Sequence, residues 1–161
     1  ANGHDMDTYA SDVAEVVAPR APLAPGTPNY VTPHGLALLR AERAELAAKR
    51  ARAEAEPDVA AMHPLGARLA QLDERLASAA LVDPSEQPKD VVRFGATVTV
   101  EPASGAARTY RIVGVDEADP ARGDVAFTSP IARALLGHEV GDEVTLQTPK
   151  GRELLEIVAI G

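Results

Sequence analysis

Hydrophobic residues in the first half of the chain recur with the period of a helix. One stripe runs from Leu36 to Ala53 in alternating steps of three and four residues, interrupted only by Arg43 and Arg50. A second stripe contains only leucine and alanine, at Leu65, Leu69, Leu72, Leu76 and Ala79. Because such a stripe needs a partner helix, and a short connection favours an antiparallel neighbour, the pattern predicts an antiparallel helical coiled coil over residues 32–82.

Threonine and proline residues indicate where these helices begin and end. Thr32 is a good N-cap and Pro33 a good first helical residue. Pro57 and Pro64 are predicted to bracket a break between the two helices, because proline is poorly tolerated inside a helix. The turn of the coiled coil is therefore expected at residues 56–63.

The period of the pattern changes to two in residues 91–161. Five alternating segments are predicted as strands: Ala96–Val100, Thr109–Val115, Val125–Thr128, Glu143–Gln147 and Glu153–Ile160. Between the third and fourth strands, Ser129 as N-cap, Pro130 in first position and Gly137 as terminator predict one short helix. The chain is thus predicted to be α+β, with an N-terminal coiled coil followed by a small, mostly antiparallel sheet domain with one helix.

Proline-rich segments divide the chain into four parts. Residues 1–31 are punctuated by prolines and predict an arm that packs locally or not at all, with a short helix at 12–17. The coiled coil follows, and residues 83–90, with two prolines among polar side chains, predict a linker. The sheet domain is expected to occupy residues 91–161.

Composition excludes several classes of function. The chain has no cysteine, which excludes disulfides, thiol catalysis and cysteine-ligated zinc. A formal net charge of -8 argues against direct binding of nucleic acid, and the four histidines lack metal-ligand spacing. No apolar run is long enough for a bilayer, and residues 1–10 lack the pattern of a secretory signal. We expect a cytoplasmic protein without a membrane partner.

A series of short motifs runs along the chain: Val31–Leu36, Phe94–Val98, Tyr110–Gly114, Asp116–Asp119, Ser129–Gly137, Gly141–Glu143 and Thr148–Gly151. In order and spacing these motifs resemble the GreA/GreB family of bacterial transcript-cleavage factors. The resemblance covers residues 92–160 closely and residues 31–83 more loosely, and Ala126 stands where the family usually has serine.

The resemblance implies a function and a partner. In the family, the coiled coil enters the secondary channel of RNA polymerase, and an FKBP-like C-terminal domain docks on the channel rim. The factor is a cofactor protein rather than an enzyme. The resemblance assigns polymerase binding to Asp116, Glu117, Asp119, Thr128, Ser129, Pro130 and Ile131. Replacement of Pro130 by alanine or of Ile131 by aspartate is expected to weaken that binding and leave the fold intact.

The same residues have a simpler interpretation, and the family's fold suggests another activity. Ser129 and Pro130 can merely start a helix, and the acidic loop can be an ordinary turn. An FKBP-like fold also suggests prolyl isomerase activity. The substrate pocket of such isomerases, however, is lined by aromatic residues and has a tryptophan at its base. This chain has no tryptophan and 3% aromatic residues, so we do not expect isomerase activity.

The tip of the coiled coil departs from the family. Family members carry tip carboxylates in a motif of the form Asp-Leu-x-Glu-Asn-Ala-Glu-Tyr, which help hold a Mg2+ in the polymerase active centre. That motif is absent, and Glu56 and Asp58 are the only carboxylates at a plausible tip. No intrinsic cofactor is expected, and any Mg2+ would be shared with polymerase through these two residues.

The predicted helical arm is also short. About 24 residues at about 1.5 Å each give an arm of about 36 Å, and the family's arm is longer by about two to three turns. We therefore expect docking on polymerase, and modulation of elongation or initiation, without the usual stimulation of cleavage.

Two alternatives remain open at the level of the sequence. One is a short-coiled-coil regulator that also docks on polymerase and competes with true cleavage factors. The other is a protein-interaction module outside transcription, in which the coiled coil mediates oligomerisation. The oligomeric state itself is not predicted.

Overall fold

The computed structural model describes residues 20, 22–55 and 59–161, without the side chains of residues 59–63. The predicted helix at 12–17 and the two tip carboxylates, Glu56 and Asp58, lie outside the described residues. The chain divides into two compact units. The hairpin unit comprises residues 37–79 with the described residues before Asn29, and the sheet unit comprises residues 29–36 and 80–161.

Two helices form the hairpin unit: α1 spans Pro33–Ala55 and α2 spans Val59–Ser78. Arg43 of α1 pairs with Asp73 of α2, and Glu42 of α1 pairs with Arg68 of α2. In both pairs the partners lie at similar distances from the connection between the helices. The predicted antiparallel arrangement is therefore confirmed.

The interior of the hairpin is made mostly of the predicted leucines. Five of them are at most 6% exposed: Leu39, Leu46, Leu65, Leu69 and Leu72. The two arginines of the predicted α1 stripe turn outward instead, where Arg43 pairs with Asp73 and Arg50 with Glu54. Burying an unpaired charge is costly, so these two positions lie on the solvent-facing side of α1.

The predicted break at Pro64 is wrong. Helix α2 begins at Val59 and continues through Pro64, so only residues 56–58 separate the helices. Proline has no backbone N–H, so Pro64 cannot donate the helical hydrogen bond to the carbonyl of residue 60. Packing of the leucines that follow offsets that local loss.

A two-stranded sheet joins the end of the arm to the end of α2. Strand β1 spans Asn29–Val31 and strand β2 spans Ala79–Leu81. Val82 donates its backbone N–H to the carbonyl of Val31 at 2.9 Å. The sequence pattern places the first segment in the arm and the second in the coiled coil, and the structure places both in strands.

The sheet unit contains a five-stranded sheet in the order β5-β4-β3-β7-β6. Its strands are β3 (Thr97–Pro102), β4 (Arg108–Val113), β5 (Asp124–Ala126), β6 (Glu143–Thr148) and β7 (Gly151–Ile160). Helix α3 spans Pro130–Leu135. Every strand pair is antiparallel except β4 with β5, which is parallel. The α+β fold is confirmed, with this parallel pair as the exception to the predicted antiparallel sheet.

An apolar core lies between the sheet and α3. Ten buried residues form it: Val92, Val98, Val100, Ile112, Val125, Ala132, Leu135, Val144, Leu155 and Ile157. Alternate residues of β3 and β7 supply most of the sheet's share, as the period of two predicts.

The predicted linker contains ordered structure. Residues 84–86 form a 3₁₀ turn, capped by Asp83, whose Oδ1 accepts from the Ser85 backbone N–H at 3.0 Å. Pro84 packs on Gly95, where an added Cβ would lie 2.7 Å from the proline ring. The segment is thus part of the sheet unit. No helix in the described part of the chain has the length and apolar character that crossing a bilayer requires.

Candidate functional site

The parallel pair of β4 and β5 brings two predicted docking segments together. The carboxyl ends of parallel strands lie at the same end of a sheet. Val113 pairs with Ala126, and the backbone N–H of Phe127 donates to the carbonyl of Val113 at 2.9 Å. Residues 114–119 and 127–131 therefore leave the sheet side by side. We call these two segments the acidic end of the sheet.

The start of α3 has the predicted geometry. Ser129 has an extended backbone, and its Oγ accepts from the Ala132 backbone N–H at 3.3 Å. Pro130 occupies the first helical position and is exposed, and Thr128 and Ser129 are half-buried. Gly137 follows the helix with a φ of +84°, a conformation that favours glycine. The predicted N-cap and terminator are confirmed.

Ile131 has a structural role as well as a surface position. Its side chain is half-buried and packs against the core of the sheet unit, beside Ala132 and Leu135. A charge at this position would enter apolar surroundings. We therefore expect Ile131→Asp to disturb the fold as well as docking, so Pro130 is the better position for a test of docking.

Glu117 turns inward rather than toward solvent. It is 7% exposed, and its Oε2 accepts from the Thr32 hydroxyl at 2.6 Å. The same hydroxyl oxygen accepts from the Gly35 backbone N–H at 3.0 Å, so Thr32 caps α1 as predicted. A Cβ on Gly35 would lie 2.9 Å from Glu117 Oε2. The carboxylate predicted for docking thus holds the first turn of α1 within the sheet unit.

Arg111 compensates the buried negative charge. Its Nε and Nη2 donate to the two carboxylate oxygens of Asp124 at 3.0 and 2.9 Å, and Asp124 is 7% exposed. The Asp124 hydrogen bond raises the pKa of Arg111, and the charge of Glu117 adds to the effect. Sequence reasoning missed this pair, because it depends on the register of two strands.

Asp116 and Asp119 are the carboxylates of the acidic loop that are partly exposed, although Oδ2 of Asp116 is buried. The backbone N–H of Asp119 donates to the carbonyl of Asp124 at 2.8 Å, and the reverse bond is 3.1 Å. Asp119 precedes a 3₁₀ turn at residues 120–122 but does not cap it with its side chain. Its backbone is thus held in place while its carboxylate is not used as a cap.

Three aromatic rings, one of them Phe127 of the acidic end, pack against one another. The ring centroids of Tyr30, Phe94 and Phe127 are 5.5 to 5.6 Å apart, in tilted and edge-to-face contacts. Tyr30 also approaches Gly114, where an added Cβ would lie 2.6 Å from the Tyr30 carbonyl oxygen. The sequence pattern placed Tyr30 in the arm, so this support was missed.

The described part of the chain contains no cluster of side chains suited to bind a metal ion. Among these residues, no three His, Asp or Glu side chains are grouped so that they could hold an ion. His138 pairs instead with Asp142, with Nδ1 and Oδ2 3.1 Å apart. The carboxylates predicted to share Mg2+, Glu56 and Asp58, lie outside the described residues.

Comparison with known proteins decides the family. Residues 87–161 match the family described as "Transcription elongation factor, GreA/GreB, C-term". The transcription elongation factor GreA of Desulfovibrio desulfuricans is 40% identical over 136 residues, which are 78% of this chain and 84% of that protein. The chain belongs to the GreA/GreB family. Both segments of the acidic end lie within the family match, and the tip carboxylates lie outside it.

A second member of the GreA/GreB family aligns with this chain over a smaller share of its own length. Transcription elongation factor GreB of Neisseria meningitidis is 42% identical over 100 residues, 62% of this chain and 61% of that protein. The solved structure of Thermus aquaticus Gfh1 is 26% identical, covers 81% of this chain and 96% of that one, and has a TM-score of 0.42. The assignment to the GreA/GreB family rests on the sequence matches.

Proposed function

We propose that this chain is a cytoplasmic factor that binds RNA polymerase at its secondary channel through the acidic end, and modulates elongation or initiation. The observation that carries the proposal is the parallel pairing of β4 and β5. That pairing puts the acidic loop beside the Ser129–Pro130 segment on one surface of the sheet unit.

Six side chains are assigned to the contact: Asp116, Asp119, Thr128, Ser129, Pro130 and the exposed part of Ile131. The two partly exposed carboxylates suit a basic surface on the partner, and complementary charge raises the rate of association. Glu117 acts indirectly, since its buried carboxylate holds the loop against the start of α1.

The chain itself is proposed to carry no catalytic activity. Any Mg2+ would be shared with polymerase through Glu56 and Asp58. Helix α1 has 23 residues, which at about 1.5 Å each make an arm of about 34 Å. Because a misplaced carboxylate loses most of its effect on a reaction, we propose that this chain does not stimulate transcript cleavage in the usual way.

A binding titration with purified core polymerase tests the contact. Asp119→Asn and Pro130→Ala should each weaken binding by about three- to tenfold, up to about 1.4 kcal/mol. Glu139→Gln is the matched control, because it removes one charge at the exposed loop that follows α3. Equal affinities for Asp119→Asn, Pro130→Ala and the control would contradict the assigned surface.

A backtracked polymerase complex tests the second half of the proposal. We expect no cleavage above the level of polymerase alone, and competition with a true cleavage factor for binding. Robust cleavage that is lost in Glu56→Gln or Asp58→Asn would overturn it. Failure to bind polymerase at all would favour the interaction module outside transcription.

A further inference from the structure

Arg20, in the segment before β1, contacts both helices of the hairpin. Its guanidinium Nη2 pairs with Oε2 of Glu42 on α1. Its backbone N–H donates to the side-chain Oε1 of Gln71 on α2 at 3.3 Å. One residue therefore links the two helices to each other by two separate bonds.

Glu42 is shared between this segment and α2. Its Oε2 pairs with Arg20 and its Oε1 pairs with Nη2 of Arg68, so each carboxylate oxygen has one guanidinium partner. The side chains of Arg20 and Arg68 are 14% and 9% exposed, and that of Glu42 is 33% exposed. Removal of Glu42 would take this shared carboxylate from two largely buried guanidinium groups, which is destabilising, whereas removal of Arg20 leaves the Arg68–Glu42 pair in place.

The face of α2 that meets Arg20 is polar but covered. Arg68, Gln71 and Arg75 follow one another at steps of three and four, so they lie on one side of the helix. Arg68 and Arg75 are each only 8% exposed. The five buried leucines of the hairpin lie on a different face of the helices. The polar face therefore holds the two helices together in addition to leucine packing.

We propose that Arg20 is a strap that braces the hairpin through the Arg20–Glu42–Arg68 cluster. The strap ties α1 to α2 on the polar face, where leucine packing does not reach. Its strength depends on charge, so the hairpin opens more readily when the cluster is broken, while salt weakens these largely buried pairs less than exposed ones. This inference concerns the hairpin unit alone and holds whether or not the chain binds polymerase.

Amide hydrogen exchange of the full chain, read by mass spectrometry, tests the strap. Arg20→Gln keeps the backbone bond to Gln71 and removes the ion pair. Helical peptides of α1 and α2 should then exchange about tenfold faster, as expected when a hydrogen bond to a charged group is lost. Exchange in β3 and β7 should stay unchanged.

Arg43→Gln is the matched control. It removes an ion pair between the same helices, Arg43 with Asp73, whose side chains are 46% and 53% exposed. Exposed pairs contribute little, so exchange should change by less than about threefold.

A second variant tests the shared carboxylate. In a Glu42→Gln background, the further change Arg20→Gln should have little additional effect, because the two residues act through one bond. Equal acceleration by Arg20→Gln and Arg43→Gln would overturn the strap. Full additivity of the Arg20 and Glu42 changes would overturn it as well.

Discussion

The hairpin unit and the sheet unit are held together by different means. The sheet unit has ten buried apolar residues in one cluster, fed by five strands and a helix. The hairpin unit has five buried leucines. Two of its arginines, Arg68 and Arg75, are also buried, each with 8% of its surface exposed. Apolar packing dominates in the sheet unit, which also holds the Arg111–Asp124 pair, whereas the hairpin unit has fewer buried apolar residues and depends more on ion pairs.

This difference matches the parts that the two units are proposed to take. A docking surface needs fixed geometry, and the acidic end is fixed by strand pairing, by the aromatic triad and by the Glu117–Thr32 bond. A hairpin braced by charges can open without loss of the sheet. Because the sheet unit depends on its apolar core, we predict that mutations in that core will lower the free energy of unfolding strongly. Mutations on its exposed surface should change that free energy little.

The largest expected effect comes from Leu155→Ala. Leu155 is fully buried in the core between β7 and α3, and truncation of such a residue costs about 2–5 kcal/mol. Leu154 is its neighbour on the opposite face of β7 and is 51% exposed, so Leu154→Ala should cost less than about 1 kcal/mol. Urea denaturation followed by circular dichroism measures both, and equal costs would contradict the proposed core.

Glu117→Ala should have the next largest effect. It leaves the Thr32 hydroxyl without its carboxylate partner, at a cost of about 1–3 kcal/mol, whereas Glu117→Gln keeps an acceptor and should cost less. The stability of each variant is measured by urea denaturation alongside its affinity for polymerase. If Glu117→Ala leaves stability unchanged but abolishes polymerase binding, Glu117 is a docking residue after all.

A smaller gain in stability is expected from Glu156→Thr. Glu156 of β7 lies directly opposite Glu101 on β3 and Glu143 on β6, and all three are exposed. Like charges at opposed positions repel, so the change should stabilise the sheet unit by about 0.2–1 kcal/mol. The gain should shrink as salt screens the repulsion. A loss of stability, or a gain that salt does not alter, would contradict the proposed repulsion.

The smallest effect concerns the loop after α3. The backbone N–H of Glu139, and then the side chain of His138, lower the pKa of Asp142 below its ordinary value. A carboxyl with a lowered pKa in the folded state adds stability above its unfolded pKa, and that stability is lost as pH falls through the folded value.

The test for this loop is the pH dependence of unfolding. Asp142→Asn should reduce the loss of stability on acidification below about pH 4, and should leave α3 in place. Because the Asp142 side chain is 39% exposed and solvent weakens its interactions, the difference should be small. An unchanged acid limb in thermal denaturation would show that this carboxyl adds nothing.

Local chemistry explains what could be predicted from the sequence. Ser129, Pro130 and Gly137 act on the residues beside them, so the bounds of α3 follow from capping rules alone. The strands of the five-stranded sheet follow from alternation, to within two residues at each end. The leucines of α2 follow in the same way from the helical period.

The errors arise where partners are distant in the sequence or where packing overrides a local preference. Strands β1 and β2 have three residues each and pair across the whole hairpin, which no period reveals. Glu117 resembles an exposed loop carboxylate until Thr32 is placed beside it. Pro64 is tolerated in α2 because packing of later residues offsets one lost hydrogen bond.

The central claim is that the acidic end is the surface that meets RNA polymerase. Hydrogen exchange of the intact chain, with and without core polymerase, tests it most directly. We predict slower exchange in peptides covering residues 114–119 and 127–131 when polymerase is added, and no change in β6 at the other edge of the sheet. Protection confined to β6, or no protection anywhere in the sheet unit, would contradict the account.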